Sequence, residues 1–142
     1  MCILTETHWI GNDIASIGEW RIHHSGSTSG TRERGVALMV RSVDSKGVEF
    51  EAVSERLFLC HIPQRSQSLV GVYAPTDSGY SSEEKEEFFV SLQEQVEKAT
   101  VEAERRKYEL LVGGDFNCRL NRTEENRGSI GWYTFNSNIG EW

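Results

Sequence analysis

The sequence predicts a mixed α/β fold, because its hydrophobic period changes along the chain. Short apolar or alternating runs, typical of strands, follow one another over residues 2–74, with Gly- or Pro-containing turns between them. Apolar residues then recur at helical spacing over residues 82–106, and a further apolar run covers residues 108–112. A strand, a helix and a strand in that order form a crossover unit, whose two strands run parallel. At 142 residues and 37% hydrophobic, the chain is long enough for one domain with its own core.

Six segments before the helix are predicted as strands. Residues 35–41 are continuously apolar, as is typical of a strand buried on both faces. The strand at 68–74 is stopped by Pro75, whose ring cannot donate to a ladder. Because short turns separate most of these strands, an antiparallel meander is the predicted pairing. A polar loop is predicted for residues 25–34. The six predicted strands are Cys2–Thr5 and residues 20–23, 35–41, 48–53, 55–62 and 68–74.

The helix at 82–106 has signals at both ends. Ser81 with Glu84 forms a capping-box pattern, and the basic residues 105–107 suit the negative end of the helix dipole. Its glutamates are predicted to face water, and its apolar residues to pack on a sheet. These apolar residues are Phe88, Leu92, Val96, Ala99 and Ala103, with Phe89 widening the stripe. From Gly113 onward the chain is predicted to be loop.

The formal net charge of −7 is concentrated in one segment. Residues 81–104 hold eight glutamates against two lysines, so the rest of the chain is close to neutral. Net charge therefore does not decide what a local cleft binds. The three cysteines Cys2, Cys60 and Cys118 include no CxxC pair, which predicts free thiols and a reducing compartment. The sequence shows no signal peptide and no membrane span, which predicts an intracellular protein, nuclear or cytoplasmic, without a membrane partner.

Polar side chains follow three of the predicted strands where each strand ends. Glu6 follows the first strand, Tyr73 lies near the end of the strand at 68–74, and Asp115 with Asn117 follows the last one. Ligand sites of α/β sheets gather at the carboxyl ends of strands, so we expect these four side chains to converge on one rim. A carboxylate and an amide two residues apart suit a metal, a phosphate or a water that loses its proton.

Each of these residues also has a structural alternative. The Gly-Asp-x-Asn segment is also typical of a surface turn closed by Asx hydrogen bonds. Glu6 at a strand end is equally explained as a solvated carboxylate, and Tyr73 as an aromatic ring that packs on a turn. Glu55 and Arg56 are interpreted as a local ion pair of small value. His23 and His24 are adjacent on a predicted strand, so they face opposite ways and cannot form one metal site.

Five motifs together resemble a known superfamily. They are TETHW, GVALMVR, SERL, VGVYAPT and GGDFN, in this order and rough spacing. The chain resembles the endonuclease/exonuclease/phosphatase superfamily over essentially its whole length. It is most similar to the endonuclease domains of LINE-type retrotransposons and their domesticated relatives, often labelled craniofacial development protein 2-like. The segments 126–131 and 136–140 resemble the loop that these proteins carry after GDFN.

The resemblance implies a fold, a metal and four roles. The family fold is a two-sheet α/β sandwich with the active site at one end. The resemblance makes Glu6 a ligand of Mg²⁺, with Mn²⁺ as the alternative ion. It places Tyr73 on the scissile phosphate and makes Asp115 the residue near the metal that orients or deprotonates the attacking water. Asn117 then binds phosphate or metal. Mg²⁺ uses few protein ligands, so a small carboxylate set agrees with the residue-level interpretation.

The resemblance also predicts missing parts. The family begins with a strand that bears an active-site asparagine, whereas this chain starts at Met1, almost on TETHW. The family continues into further strands, another catalytic aspartate and a Ser-Asp-His signature, and no Ser-Asp-His occurs before Trp142. Residues 1–142 are therefore predicted to be an incomplete sandwich, truncated at both ends. Because a catalytic set acts as a unit, the 142-residue chain is predicted to nick DNA weakly or not at all.

Three functions remain open at this point. The first is a Mg²⁺-dependent phosphodiester hydrolase, a DNA endonuclease of retrotransposon origin that belongs to a larger polyprotein with a reverse transcriptase. The second is a catalytically inactive remnant or binding module. The third is the same fold acting on a phosphoinositide or a nucleotide phosphodiester. The sequences of the VYAPT and GGDFN motifs favour the nuclease branch of the superfamily.

Overall fold

The computed structural model describes residues 1–76 and 79–118. Within these ranges the chain forms eight strands, one α-helix and two short 3-10 helices. The predicted segments 126–131 and 136–140 lie outside the described residues. The strands are β1 (Cys2–Thr5), β2 (Asn12–Ile17), β3 (Trp20–Ser25), β4 (Val36–Arg41), β5 (Glu49–Ser54), β6 (Leu57–Ile62), β7 (Gln67–Tyr73) and β8 (Glu109–Asp115), and the helix is α1 (Ser82–Arg106).

The strands form two four-stranded sheets, ordered β1-β4-β3-β2 and β5-β6-β7-β8. All neighbouring pairs are antiparallel except β7 and β8, which α1 connects and which run parallel. The two-sheet α/β fold and the crossover unit are thus confirmed. The single meander is wrong, because the chain changes sheets between β4 and β5.

The main differences from the prediction concern β2 and β8. β2 was not predicted, since its residues are polar or exposed, and the strand forms by pairing with β3 over its whole length. The predicted loop from Gly113 is also wrong: β8 continues through both glycines to Asp115. In both cases, pairing with a neighbouring strand determines the backbone. This neighbour is β3, just after a two-residue turn, for β2, and β7, on the other side of the helix in sequence, for β8.

One hydrophobic cluster lies between the sheets, and a second lies between β5–β8 and α1. The first joins buried residues of β4, β6 and β7, and the partly buried Ile3 and Leu111 pack against it. The second joins residues of β6 and β7 to the helix. Cys60 is buried in the first cluster, and burial raises the pKa of its thiol to about 12. The three cysteines are free, as predicted.

The N-terminal cap of the helix and most of its buried face are as the sequence predicts. The Ser81 hydroxyl accepts from the Glu84 amide at 3.1 Å, and the Glu84 carboxylate accepts from the Ser81 amide at 2.8 Å, which completes the capping box. Phe88 and Ala99 are buried against the sheet, with Leu92 partly buried beside them, as predicted. Phe89 does not widen this face: it is 50% exposed and meets only the edge of Phe88 within the aromatic contacts of the described chain.

Replacing Leu92 with alanine is expected to lower the free energy of unfolding by about 2 kcal/mol. This value is at the lower end of the range for buried leucines, because Leu92 is only partly buried. Val90, which is 53% exposed on the same helix, provides the matched control. Val90→Ala should change stability by less than about 0.5 kcal/mol. Urea unfolding measures both; equal costs would show that the helix packs on the sheet through another face.

Two buried histidines are expected to make stability depend on pH. Burial lowers the pKa of His23, with a further contribution from Arg21. Burial also lowers the pKa of His61, whose Nδ1 lies 2.8 Å from the Ser68 hydroxyl, and Arg106 lowers it further against the opposing glutamates 49, 102 and 51. The folded state therefore binds protons less readily than the unfolded state. Stability should fall as pH drops below the ordinary histidine pKa of about 6.5.

Thermal unfolding at pH 7.5, 6.5 and 5.5 tests this pH dependence. The midpoint should fall over this range, and a His23→Gln, His61→Gln double variant should lose most of that fall. Glu49 titrates in a separate window, because its hydrogen bond to Arg106 lowers its pKa below the usual carboxylate value. A wild-type midpoint that does not change between pH 7.5 and 5.5 would contradict the role of the two histidines.

Candidate active site at one end of the sandwich

A hydrogen bond joins the two sheets at one end of the sandwich. The Tyr73 hydroxyl, at the end of β7, donates to Oε1 of Glu6 at 2.8 Å. Glu6 follows β1, which belongs to the other sheet. β1 lies close to β8 here, because a Cβ added to Gly113 would lie 3.2 Å from Cδ1 of Ile3, a tight contact with the end of a flexible side chain. Glu6 and Tyr73, which are 67 positions apart in the sequence, therefore meet directly.

Asp115 lies beside Tyr73 on the same sheet. The two residues are partners in the parallel β7–β8 register, and paired residues of neighbouring strands present their side chains on one face. Gly114, the residue before Asp115, has φ of 141°, and a Cβ there would collide with the Val72 carbonyl. Only glycine allows this approach of the two strands. The crossover unit and Gly114 together place Asp115 on the rim.

Asn117 ties the end of β8 to the end of β7. Its backbone is left-handed, with φ of 46°, and its amide N–H donates to Oδ1 of Asp115 at 2.9 Å. Its side-chain Nδ2 donates to the Ala74 carbonyl at 2.7 Å. Phe116, between the two polar residues, is partly buried and packs in the cluster under the helix. The Asx hydrogen bond of the alternative interpretation thus forms, and it forms on the rim beside Tyr73.

Arg56 is a site residue that the sequence interpretation missed. It is buried to 8% exposure, and its guanidinium carbon lies 4.9 Å from the Tyr73 ring centroid. Nη1 donates to the Tyr73 carbonyl at 3.1 Å, and Nη2 donates to the Tyr80 hydroxyl at 2.6 Å. The predicted Glu55–Arg56 ion pair is wrong, because Glu55 instead pairs with Arg34 at 2.6 Å. The one available signal was an arginine directly before the buried run LFLCHI.

The electrostatics keep Tyr73 protonated. Burial raises the pKa of its hydroxyl, and the hydrogen bond and charge of Glu6 add to the effect, against a smaller opposite contribution from Arg56. At neutral pH the residue is therefore a hydrogen-bond donor and not a nucleophile. The Tyr73 hydroxyl donates its hydrogen bond to Glu6. A phosphate oxygen in the same place would compete with Glu6 for that hydrogen bond.

The rim carries two exposed carboxylates that suit a hard cation. Within the described chain, one oxygen of Glu6 accepts from Tyr73 and one oxygen of Asp115 accepts from the Asn117 amide, which leaves a second oxygen on each. No group of three or more His, Cys, Asp or Glu side chains suited to a metal is found in residues 1–76 and 79–118. Mg²⁺ usually takes one or two carboxylates and completes its shell with water and substrate phosphate. The two carboxylates therefore fit this ion by chemistry and number.

Fold and rim together define the class: a two-sheet α/β protein with a carboxylate and tyrosine cluster at one end of the sandwich. Comparison with known proteins adds no family to this description, since no protein-family model and no curated protein matches the chain. The described residues contain no helix that is long and apolar enough to cross a membrane.

Proposed function

We propose that this chain carries part of a Mg²⁺-dependent phosphodiesterase site that acts on DNA, of the endonuclease/exonuclease/phosphatase type. The observation that carries the proposal is the Tyr73–Glu6 hydrogen bond across the two sheets, with Asp115 next to Tyr73 in register. Three motifs far apart in sequence supply these residues, which is unexpected for unrelated surface turns. The residues of the VYAPT and GGDFN motifs resemble those of nucleases of the LINE retrotransposon type. This resemblance favours a nuclease over a lipid or nucleotide phosphodiesterase.

The proposed mechanism assigns one task to each residue of the rim. Glu6 and Asp115 would hold Mg²⁺, which neutralises charge on the phosphate when bound. Tyr73, protonated at neutral pH, donates its hydroxyl proton in a hydrogen bond to a phosphate oxygen. Asp115 would orient the attacking water and accept its proton as the water oxygen bonds to phosphorus and the P–O bond to the leaving oxygen breaks; the leaving oxygen would take a proton from solvent. Asn117 would orient the phosphate through the second N–H of its side-chain amide, while the contact of Nδ2 with the Ala74 carbonyl fixes its position.

Arg56 is proposed as a positioning residue. It contacts Tyr73 twice, through the ring face and through the carbonyl, and it does not carry the reacting atoms. Catalysis of this kind depends on positioning within a fraction of an ångström. The guanidinium also adds a positive charge under the ring, which partly offsets the effect of Glu6 on the Tyr73 pKa.

Metal dependence of plasmid nicking tests the proposal. Nicking is measured with Mg²⁺, with Mn²⁺ and with EDTA, for the 142-residue chain and for the same chain fused to the end segments of a LINE-type endonuclease. Both metals should support nicking by the fusion and EDTA should abolish it. Glu6→Gln should raise the Mg²⁺ concentration for half-maximal rate by at least about tenfold, since even outer-shell changes weaken metal affinity by that much.

Glu19→Gln is the matched control, because Glu19 is an exposed glutamate that pairs with Arg41 at 2.6 Å. It should leave the Mg²⁺ requirement unchanged. If both proteins bind DNA but do not nick it with either metal, the chain is a non-catalytic binding module and not an enzyme. Hydrolysis of a phosphoinositide but not of DNA would show that the substrate is a phosphoinositide and that only the type of reaction was proposed correctly.

A further inference from the structure

A cleft near the turn that carries Glu6 is lined mainly by basic and aromatic side chains. Its volume is about 380 Å³. Its walls contain two imidazoles, one guanidinium and one indole, and none of the described residues that line it is acidic. The lining residues are His8, Trp9, Ile10, His24 and Arg32. These five side chains take no part in the proposed phosphodiesterase site. His8 lies only two residues from Glu6.

The backbone of one wall is held in an uncommon conformation. Glu6 and His8 both have left-handed φ values, of 53° and 55°, which residues with a Cβ rarely adopt. The His8 amide donates to the Arg34 carbonyl at 2.7 Å, and the Thr7 amide donates to the Gly35 carbonyl at 3.2 Å. Backbone strain of this kind collects at functional sites, where the surrounding structure maintains it. The same turn that presents Glu6 to Tyr73 thus presents His8 and Trp9 to the cleft.

The opposite wall is also tightly built. A Cβ added to Gly26 would collide with the Trp9 carbonyl, so the β3 end and the Trp9 backbone are in direct contact. The His24 ring meets the Trp9 ring edge to face, with centroids 4.8 Å apart. His24 is buried, and its Nδ1 has no hydrogen-bond partner in the described chain. Trp9 is therefore held by a rigid neighbour, which preorganises an aromatic ring at the cleft.

Arg32 is the cleft residue that can contact an anion. The His8 ring donates its Nδ1–H to the Arg32 carbonyl at 3.1 Å, so the neutral ring keeps only an acceptor at Nε2. The guanidinium of Arg32 is exposed and makes no ion pair within the described residues. An arginine beside an aromatic ring matches a nucleotide, since the phosphate pairs with the guanidinium and the base stacks on the ring.

We propose that this cleft binds a nucleotide that flanks the scissile phosphate of a DNA strand. The base lies against Trp9, and the phosphate is contacted by Arg32. The inference rests on the proposed function for the choice of DNA as ligand. It goes beyond that function because it assigns a separate subsite, built from residues that take no part in metal binding or proton transfer.

Equilibrium DNA binding in EDTA tests this subsite without any cleavage. Fluorescence anisotropy of a labelled single-stranded oligonucleotide is measured with the 142-residue chain. Trp9→Ala should raise the dissociation constant between about 5-fold and 150-fold, the range for loss of one stacked base. Trp9→Phe should restore most of the affinity. Arg32→Gln should weaken binding and reduce the slope of log K against log salt by about one.

Arg105→Gln is the matched control, because Arg105 is an exposed arginine at the far end of the helix that pairs with Glu102. It should leave both affinity and salt slope unchanged. Hydrolysis of bis(p-nitrophenyl) phosphate by the fused protein separates the two proposals, since this substrate has no flanking nucleotide.

The outcomes distinguish the two ideas. If the phosphodiester is not hydrolysed but Trp9→Ala and Arg32→Gln weaken DNA binding, the proposed function fails and the nucleotide cleft remains. If hydrolysis occurs but both variants bind DNA like the parent, the cleft is overturned and the active site remains. Absence of any DNA binding by the parent chain in EDTA also overturns the cleft.

Discussion

Replacing Asp115 with alanine is expected to abolish Mg²⁺-dependent nicking by the fused protein, a loss of about 10³-fold or more. Asp115 is assigned two tasks, a share of the metal and the proton of the attacking water. Groups that act as one catalytic unit lose most of the rate when a single member is removed. Supercoiled plasmid conversion under single-turnover conditions measures the loss. Asp13→Ala is the control, since Asp13 is an exposed carboxylate on β2.

A second variant separates chemistry from structure at this position. Asp115 accepts the Asn117 amide at 2.9 Å, so alanine removes a turn hydrogen bond as well as a carboxylate. Asp115→Asn retains an acceptor oxygen for that bond but cannot take a proton. It should therefore melt like the parent and still fail to nick DNA. Nicking by Asp115→Asn at the parental rate would show that another group accepts the proton.

Replacing Phe58 with alanine is expected to cost about 3–5 kcal/mol of unfolding free energy. Phe58 is fully buried between the sheets, and its ring centroid lies 4.9 Å from that of Phe50. Its position depends on Gly71, its register partner on β7, because a Cβ at Gly71 would overlap the Phe58 ring. Phe58 and Gly71 thus form one packing unit at the centre of the sheet.

A double-mutant cycle checks that unit. Gly71→Ala alone should be strongly destabilising, because the ring must move in a close-packed core. In the Phe58→Ala background the added methyl has room, so the double variant should cost less than the sum of the single ones. Phe89→Ala, at a half-exposed ring of the same residue type, should change stability by under about 0.5 kcal/mol. Additive costs would contradict the contact between Phe58 and Gly71.

The sequence predicted the elements that have strong local signals. The capping box at Ser81 and the helical period of Phe88, Leu92 and Val96 were sufficient to predict the helix, because backbone capping and an apolar stripe are local properties. The crossover unit was sufficient to predict that β7 and β8 run parallel. Parallel pairing then brings Tyr73 and Asp115 to the same edge, so this half of the candidate site followed from the chain order.

Elements that depend on a partner strand could not be predicted in this way. β2 has little apolar pattern and exists through its pairing with β3. The glycines at 113 and 114 were interpreted as a turn, but they allow close approach of β1 and of the Val72 backbone to β8. A glycine in a sequence is compatible with a tight turn and also with the close approach of a neighbouring strand. The sequence alone does not distinguish these two causes.

By itself, the sequence determined the α/β class, the helix, most strands and the rim residues Glu6, Tyr73, Asp115 and Asn117 as candidates. Only the tertiary structure decided that the chain changes sheets after β4, which brings Glu6 across to the Tyr73 hydroxyl. It also decided that Arg56 lies on the Tyr73 ring while Glu55 pairs with Arg34. The physical reason is the range of the interactions. Caps and periods act within a few residues, whereas these contacts join residues that are 17 to 67 positions apart.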